Sequence, residues 1–172
     1  SLKKLHRDIL LSETYGRATG ASGDADPDNK LLAHFPLLHR LDMEAIRDSV
    51  LAVTGELDLK AGGPPAEISD DNKRRSVYLT VSRTRLDPAM ALFDFPDANN
   101  TTDERAVTAG PLQGLYWLNS AFVTRRAEAL FARLSKEAGE SAEARIQRAY
   151  ALLYGRPADR SEVELGLRYV GS

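Results

Sequence analysis

Helix-starting and helix-stopping residues recur so closely along this chain that no long uninterrupted element fits between them. Asp-Pro stands at 26–27 and again at 87–88. That pair suits a helix start, with Asp as the N-cap and Pro at the first helical position. Pro111 opens a further run, Gly55 sits where a left-handed C-terminal glycine belongs, and Gly139 and Gly155 stop two later runs. Pro36 and Pro96 cut their neighbouring runs short. Between these marks the apolar residues follow helical spacing. Leu2, Leu5, Ile9 and Leu10 define a first helix capped by Ser1 and ending near Tyr15-Gly16. Asp42 precedes Ile46, Val50 and Val53, which predict the buried face of a second helix. A short helix through Phe93 follows Asp87-Pro88, and a run through Leu112, Leu115, Tyr116 and Leu118 follows Pro111. Ser120 is the expected cap of a helix bearing Phe122, Val123, Ala127, Leu130, Phe131 and Leu134. Ser141 caps one with Ile146, Tyr150 and Leu153. Ser161 and Glu164 have the spacing of a capping box for a last helix with Val163, Leu167 and Val170.

One stretch breaks the helical period. Val77, Leu79 and Val81 alternate with Tyr78, Thr80 and Ser82, which predicts a half-buried strand with a short partner near Ile68. The expected fold is therefore mainly α, an irregular multi-helix domain with one short strand or β-hairpin near residues 68–82. Its 172 residues suit a single domain, a fragment of a larger protein, and the turn-rich segment 56–72 is the possible internal boundary.

Composition narrows the chemistry. Cysteine is absent, which removes disulfides, thiolate zinc sites, thiol nucleophiles and c-type haem attachment. A formal net charge of −2 gives no overall field for nucleic acid or an anionic membrane. No window approaches the length of an apolar membrane span. Neither a Gly-x-Ser-x-Gly elbow nor a phosphate-binding loop is present.

Four constellations remain. Asp24, Asp26 and Asp28 alternate like the start of a calcium loop, but Asn29 and Phe35 replace the sharp-turn Gly and the bidentate Glu. That leaves a weak calcium candidate beside a solvated acidic loop. His6, His34 and His39 lack the spacing of helical zinc ligands, so no metal is assigned to them. Arg83 and Arg85 follow Lys73, Arg74 and Arg75 in a strip without acids, and guanidinium forks suit planar anions. The alternative is a set of surface arginines answering Asp70, Asp71 and Asp87. Finally, Asp94, Asp97, Asn99, Arg105, Thr108, Gln113 and Asn119 interleave polar side chains with apolar ones between residues 92 and 123. Asp and Asn bond their own backbone in turns, so these groups can pin a long loop. The same groups can instead line a ligand cleft, with Arg105 as its cation.

The order and spacing of these motifs resemble a known family, the planctomycete-type domain of unknown function numbered 1553. The resemblance is carried by Leu5-His6-Arg7 with Ser12, Thr14 and Tyr15, by Asp26-Pro27-x-Asn29, and by Arg40-Leu41-Asp42-x-Glu44-Ala45-Ile46-Arg47-Asp48. It continues in Arg75-Ser76-Val77-Tyr78, Phe93-Asp94-Phe95-Pro96-Asp97, Arg105-x-x-Thr108-x-x-Pro111-Leu112-Gln113, Leu118-Asn119 and Tyr154-Gly155-Arg156-Pro157. Gly16 and Gly114 depart from the residues usual there, Arg and Ala. Such domains usually form the C-terminal part of large exported bacterial proteins, which implies an extracytoplasmic setting and partners among the other domains of the parent. The expectation is a non-catalytic binding or assembly module without a cofactor. The alternatives are a polysaccharide-acting enzyme domain with an Arg-lined anionic-sugar site, and a calcium-stabilised structural module.

Overall fold

A computed structural model describes residues 1–16, 26 and 40–171. The chain divides into two compact units, Ser1–Arg40 and Leu41–Ser172, and the segment 56–72 falls inside the second.

In the first unit, α1 (Leu2–Leu10) starts as its sequence dictates. The Ser1 hydroxyl accepts from the Lys4 amide at 3.4 Å. Its apolar residues form the expected stripe, but none of the helix is buried.

In the second unit the helices are α2 (Met43–Thr54), α3 (Pro88–Leu92), α4 (Pro111–Asn119), α5 (Ala121–Ala138), α6 (Ala142–Tyr154) and α7 (Arg160–Val170). The punctuation sets most of their ends. Asp87 Oδ1 accepts from the Ala89 and Met90 amides at 3.0 and 3.1 Å, with Pro88 at the first position of α3. Gly55 and Gly155 close α2 and α6 in the left-handed region, at φ 77° and 67°. α2 packs on α5, α3 and the segment 76–78, and α5, α6 and α7 follow one another as packed neighbours.

Four local expectations are corrected. The box that starts α7 is Asp159 with Glu162, two residues before Ser161 with Glu164. Asp159 Oδ1 accepts from the Glu162 amide and Glu162 Oε2 from the Asp159 amide, each at 2.9 Å. Ser120 stands before α5 without capping it by its side chain. Residues 76–78 form a single 3-10 turn, and the strand shrinks to isolated parallel bridges, Ala66 with Leu79 and Asp58 with Arg74. Of the alternating residues only Leu79 is buried, because the 3-10 turn carries Val77 outward before the chain becomes extended.

The fourth correction concerns α2. Its buried residues are Met43, Arg47, Leu51 and Thr54, while Ile46, Val50 and Val53 are half-buried. The innermost stripe thus includes a charged residue that no hydropathy pattern would place there. Arg47 is buried because its guanidinium finds backbone acceptors. It donates to the Arg74 carbonyl at 2.8 Å, to the Asn72 carbonyl, and to Ser76 Oγ at 3.3 Å. Burial pushes its pKa down, although Asp48 beside it opposes the change.

The apolar core lies next to this clamp. Met43, Met90 and Phe93 are buried against Ile68, Leu86, Leu92, Tyr116 and Trp117. Phe93, Tyr116 and Trp117 meet edge to face, with centroids 5.4 to 5.5 Å apart. On the α5 side, Phe122 carries the guanidinium carbons of Arg47 and Arg126 at 5.9 and 5.6 Å from its ring centre. Buried Arg126 pairs with Glu56 at 3.0 Å, and Lys73 reaches the same carboxylate at 2.7 Å. Burial alone would raise the Glu56 pKa, but the Lys73 hydrogen bond and the Arg126 charge outweigh it and hold the group low.

Candidate functional site

The polar block between residues 92 and 119 folds into a set of loop locks. α3 ends at Leu92 with Phe93 as its C-cap, and the chain turns there through Asp94, the one non-glycine residue with positive φ (64°) among the described residues. Asp94 then holds Thr108 through both carboxylate oxygens. Oδ2 accepts the Thr108 amide at 2.9 Å and Oδ1 accepts its hydroxyl at 2.8 Å. Buried Gln113 donates to the Leu92 carbonyl at 3.0 Å and to Thr108 Oγ1 at 3.3 Å. Asp97 Oδ1 accepts from the Asn99 amide and side chain at 2.9 and 3.0 Å, and Oδ2 accepts from Asn100 at 2.6 Å. These bonds, first the Asn99 backbone one, hold the Asp97 pKa below the usual carboxylate range. Asn99 also donates to the Arg83 carbonyl, and Asn119 donates to the Leu115 carbonyl of its own helix, each at 3.0 Å.

Arg105 is fixed from α2. Its two terminal nitrogens donate to the two oxygens of Glu44 at 3.1 and 3.0 Å, and one also meets Asp42 at 3.1 Å. The guanidinium lies 5.3 Å from the Phe95 ring centre. The Glu44 hydrogen bonds push the Arg105 pKa up. Asp42 therefore stands at the start of α2 without capping it, because its carboxylate points to Arg105.

Asp94, Asp97 and Arg105 do share a shallow depression of about 300 Å³, together with Phe95, Pro96 and Asn100. Their polar atoms are largely turned to the protein's own donors and acceptors. Arg83 and Arg85 are exposed, and their guanidiniums have no ionic or hydrogen-bond partner among the described residues. The rest of that basic strip is occupied. Lys73 pairs with Glu56, Arg75 approaches Asp48 at 3.9 Å, and Arg74 donates to the Pro64 and Gly62 carbonyls and stacks on Tyr78.

Asp24 and Asp28, like His34 and His39, lie outside the described residues, Asp26 is buried, and His6 is exposed on α1. Among the described residues, no group of three His, Asp or Glu side chains could hold a metal ion. No described helix is long and apolar enough to cross a membrane.

The more enclosed concave surface lies elsewhere. α2, α3 and residues 76–86 enclose a groove of about 370 Å³, lined by the apolar Ile68, Leu79, Leu86, Met90 and Phe95 together with Glu44, Asp48 and Ser76. It runs into a second hollow of about 550 Å³ that adds Glu67, Arg85 and Pro88, the two sharing Ile68, Thr80, Ser82, Leu86 and Asp87. Asp48 holds one wall in place, accepting from the Ser76 amide at 2.8 Å and hydroxyl at 2.7 Å. Reading the sequence missed Glu44, Arg47 and Asp48 as architects of this surface. Their signal was present as two acids one turn apart on α2 with an arginine between them.

A family model described as PSD1, a protein of unknown function (DUF1553), matches residues 1–170. No curated protein and no solved structure matches the chain.

Proposed function

The chain belongs to the PSD1 family of proteins of unknown function (DUF1553), and from that premise we propose that it is a non-catalytic binding or assembly module of a larger exported protein. The observation that carries this reading is the face of α4. Leu112, Leu115 and Leu118 follow one another at helical spacing and are 65, 52 and 80 % exposed. Scattered exposed leucines need no explanation, but an aligned stripe of them marks a surface that another body covers. The partner this reading assigns is another domain of the same parent, and the extracytoplasmic setting follows from the family resemblance. No cofactor is assigned to the domain.

The groups that would have to act in catalysis support the same reading. Asp97 is held ionised by its amide donors, which makes it a poor proton donor near neutral pH. Asp94 is engaged by Thr108, and Arg105 by Glu44. The polysaccharide-acting alternative would need these groups released.

The test changes Leu112, Leu115 and Leu118 together to Gln and follows association with the remaining domains of the parent by sedimentation. Loss of association, with a melting temperature within about 3 °C of the unaltered domain, supports the module. Unchanged association overturns the α4 assignment. Release of reducing ends from polysaccharide by the intact domain, lost in Asp94→Asn, would favour the enzyme instead.

A further inference from the structure

The wall of the groove formed by residues 76–82 has a property that neither the loop locks nor the α4 stripe uses. Leu79 is extended, with φ −83° and ψ 150°. One edge of this segment is paired: the Ala66 amide donates to the Tyr78 carbonyl at 3.0 Å, and the Thr80 amide donates to the Ala66 carbonyl at 2.9 Å. In extended backbone, successive residues direct their amide and carbonyl groups to opposite edges. The Leu79 carbonyl, opposite the Thr80 amide across their peptide bond, therefore belongs to the other edge, and the backbone amide and carbonyl of Val81 follow two residues on. Among the described residues, none of these three groups has a hydrogen-bond partner. Val77 and Val81 flank this edge and are 71 and 52 % exposed. An unpaired edge with exposed β-branched residues is a template for another extended chain.

We propose that this groove receives an extended, apolar peptide segment by strand addition along Leu79–Val81, with a basic residue of that segment toward Glu67 and Asp87. The apolar hollow of Ile68, Leu79, Leu86 and Met90 takes alternate side chains of the added strand, and the free Leu79 and Val81 groups take its backbone. A ligand lacking a backbone of amides would fill the hollow and leave the edge unpaired. Charge sets the flank. Glu44 is answered by Arg105, and Asp48 by Ser76 and Arg75. Asp87 uses only Oδ1 at the start of α3, and the Glu67 carboxylate has no partner among the described residues. Two carboxylates thus face one uncommitted guanidinium, Arg85, around the second hollow.

The experiment uses the intact domain and a labelled peptide, Lys-Val-Thr-Val-Thr-Val-Lys, with two controls. One control carries N-methyl groups on the central Val and its neighbours, which keeps the side chains and removes the edge donors. The other replaces both Lys by Glu. The expected result is saturable binding in fluorescence anisotropy, weakened at least about ten-fold by N-methylation and also weakened by the charge reversal. Amide exchange at Val81 should slow on binding, and Val81→Lys should lose the peptide while keeping the melting temperature. Absence of saturable binding, or equal binding of the N-methylated peptide, overturns the proposal. Equal or tighter binding of the Glu peptide overturns its charge assignment. Because the α4 leucines lie outside this groove, any of these failures leaves the assembly reading of α4 standing.

Discussion

Asp94, whose own backbone is left-handed at φ 64°, accepts both the backbone amide and the hydroxyl of Thr108. The two features depend on each other. Left-handed backbone costs a residue with a Cβ about 1 kcal/mol or more, and Asp tolerates it best when its short side chain bonds nearby. Here that bond closes the loop 95–107 onto the end of α3.

Asp94→Ala loses the bonds and keeps the strain, whereas Asp94→Gly loses the bonds and relieves the strain. The expected loss for the alanine variant is about 2 kcal/mol, and the glycine variant recovers about 1 kcal/mol of it. Urea unfolding midpoints of the two variants check this. Equal midpoints would mean that the positive φ carries no cost here.

Arg47 is the side chain whose loss should be felt furthest from its own position. Arg47→Met fills much of the same volume but leaves the Asn72 and Arg74 carbonyls without their donor. The expected cost is about 2 to 3 kcal/mol, from two partly buried acceptors left unmet. Arg47→Lys should recover only part of it, since one ammonium cannot reproduce the guanidinium fork. Denaturant unfolding gives the magnitude, and proteolysis within 56–76 reports the loosened loop. A cost under about 1 kcal/mol for the Met variant would show that water replaces the guanidinium.

Two glycines inside helices should respond with opposite signs. A Cβ on Gly114 would meet nothing within 4 Å, so Gly114→Ala should stabilise by about 0.5 to 1 kcal/mol through helix propensity. A Cβ on Gly166 would lie 2.9 Å from Ile146 Cδ1, where α7 rests on α6. Gly166→Ala should therefore gain nothing or lose stability, as the Ile146 side chain must move. Thermal melting separates them, with an increase of about 2 °C or more expected only for Gly114→Ala.

Stability should fall in acid, for a reason visible on the helix ends. Hydrogen bonds from Arg133 and Arg148 hold the Glu137 pKa down, and those from Arg156 and the Asp159 amide do the same to Glu162. Asp159 is lowered by the Glu162 amide and the Ser161 hydroxyl. Groups with depressed folded pKa values contribute fully above the ordinary carboxylate range and lose that contribution as pH falls through the folded values. The melting temperature should be flat from pH 7 to about 5 and decline below about 4. Glu162→Gln should lower the neutral plateau and make the acid decline shallower. An unchanged acid slope in that variant would exclude the Arg156–Glu162 pair as a source.

The helix boundaries were legible because they rest on local chemistry. A proline at a helix start and a glycine at its end act within one turn, so Asp87-Pro88, Gly55 and Gly155 could be read directly. The α7 box shows the limit of that reading. Asp159 with Glu162 and Ser161 with Glu164 offer the same spacing, and the choice fell to the pair that Arg156 also reinforces. The polar block from Asp94 to Asn119 was legible as residues suited to locking turns, because Asp and Asn bond nearby backbone.

By itself, then, the sequence determined that this chain is a series of short helices separated by pinned loops, since each stop and start is a short-range steric or hydrogen-bonding event. Only the tertiary structure decided which faces turn inward. It buried Arg47 because carbonyls from residues 72 and 74 converge on it, left Leu118 on the surface, and left the Leu79 carbonyl beside a groove with no partner among the described residues. Those outcomes depend on groups distant in sequence meeting in space, and no local pattern encodes where such partners will stand.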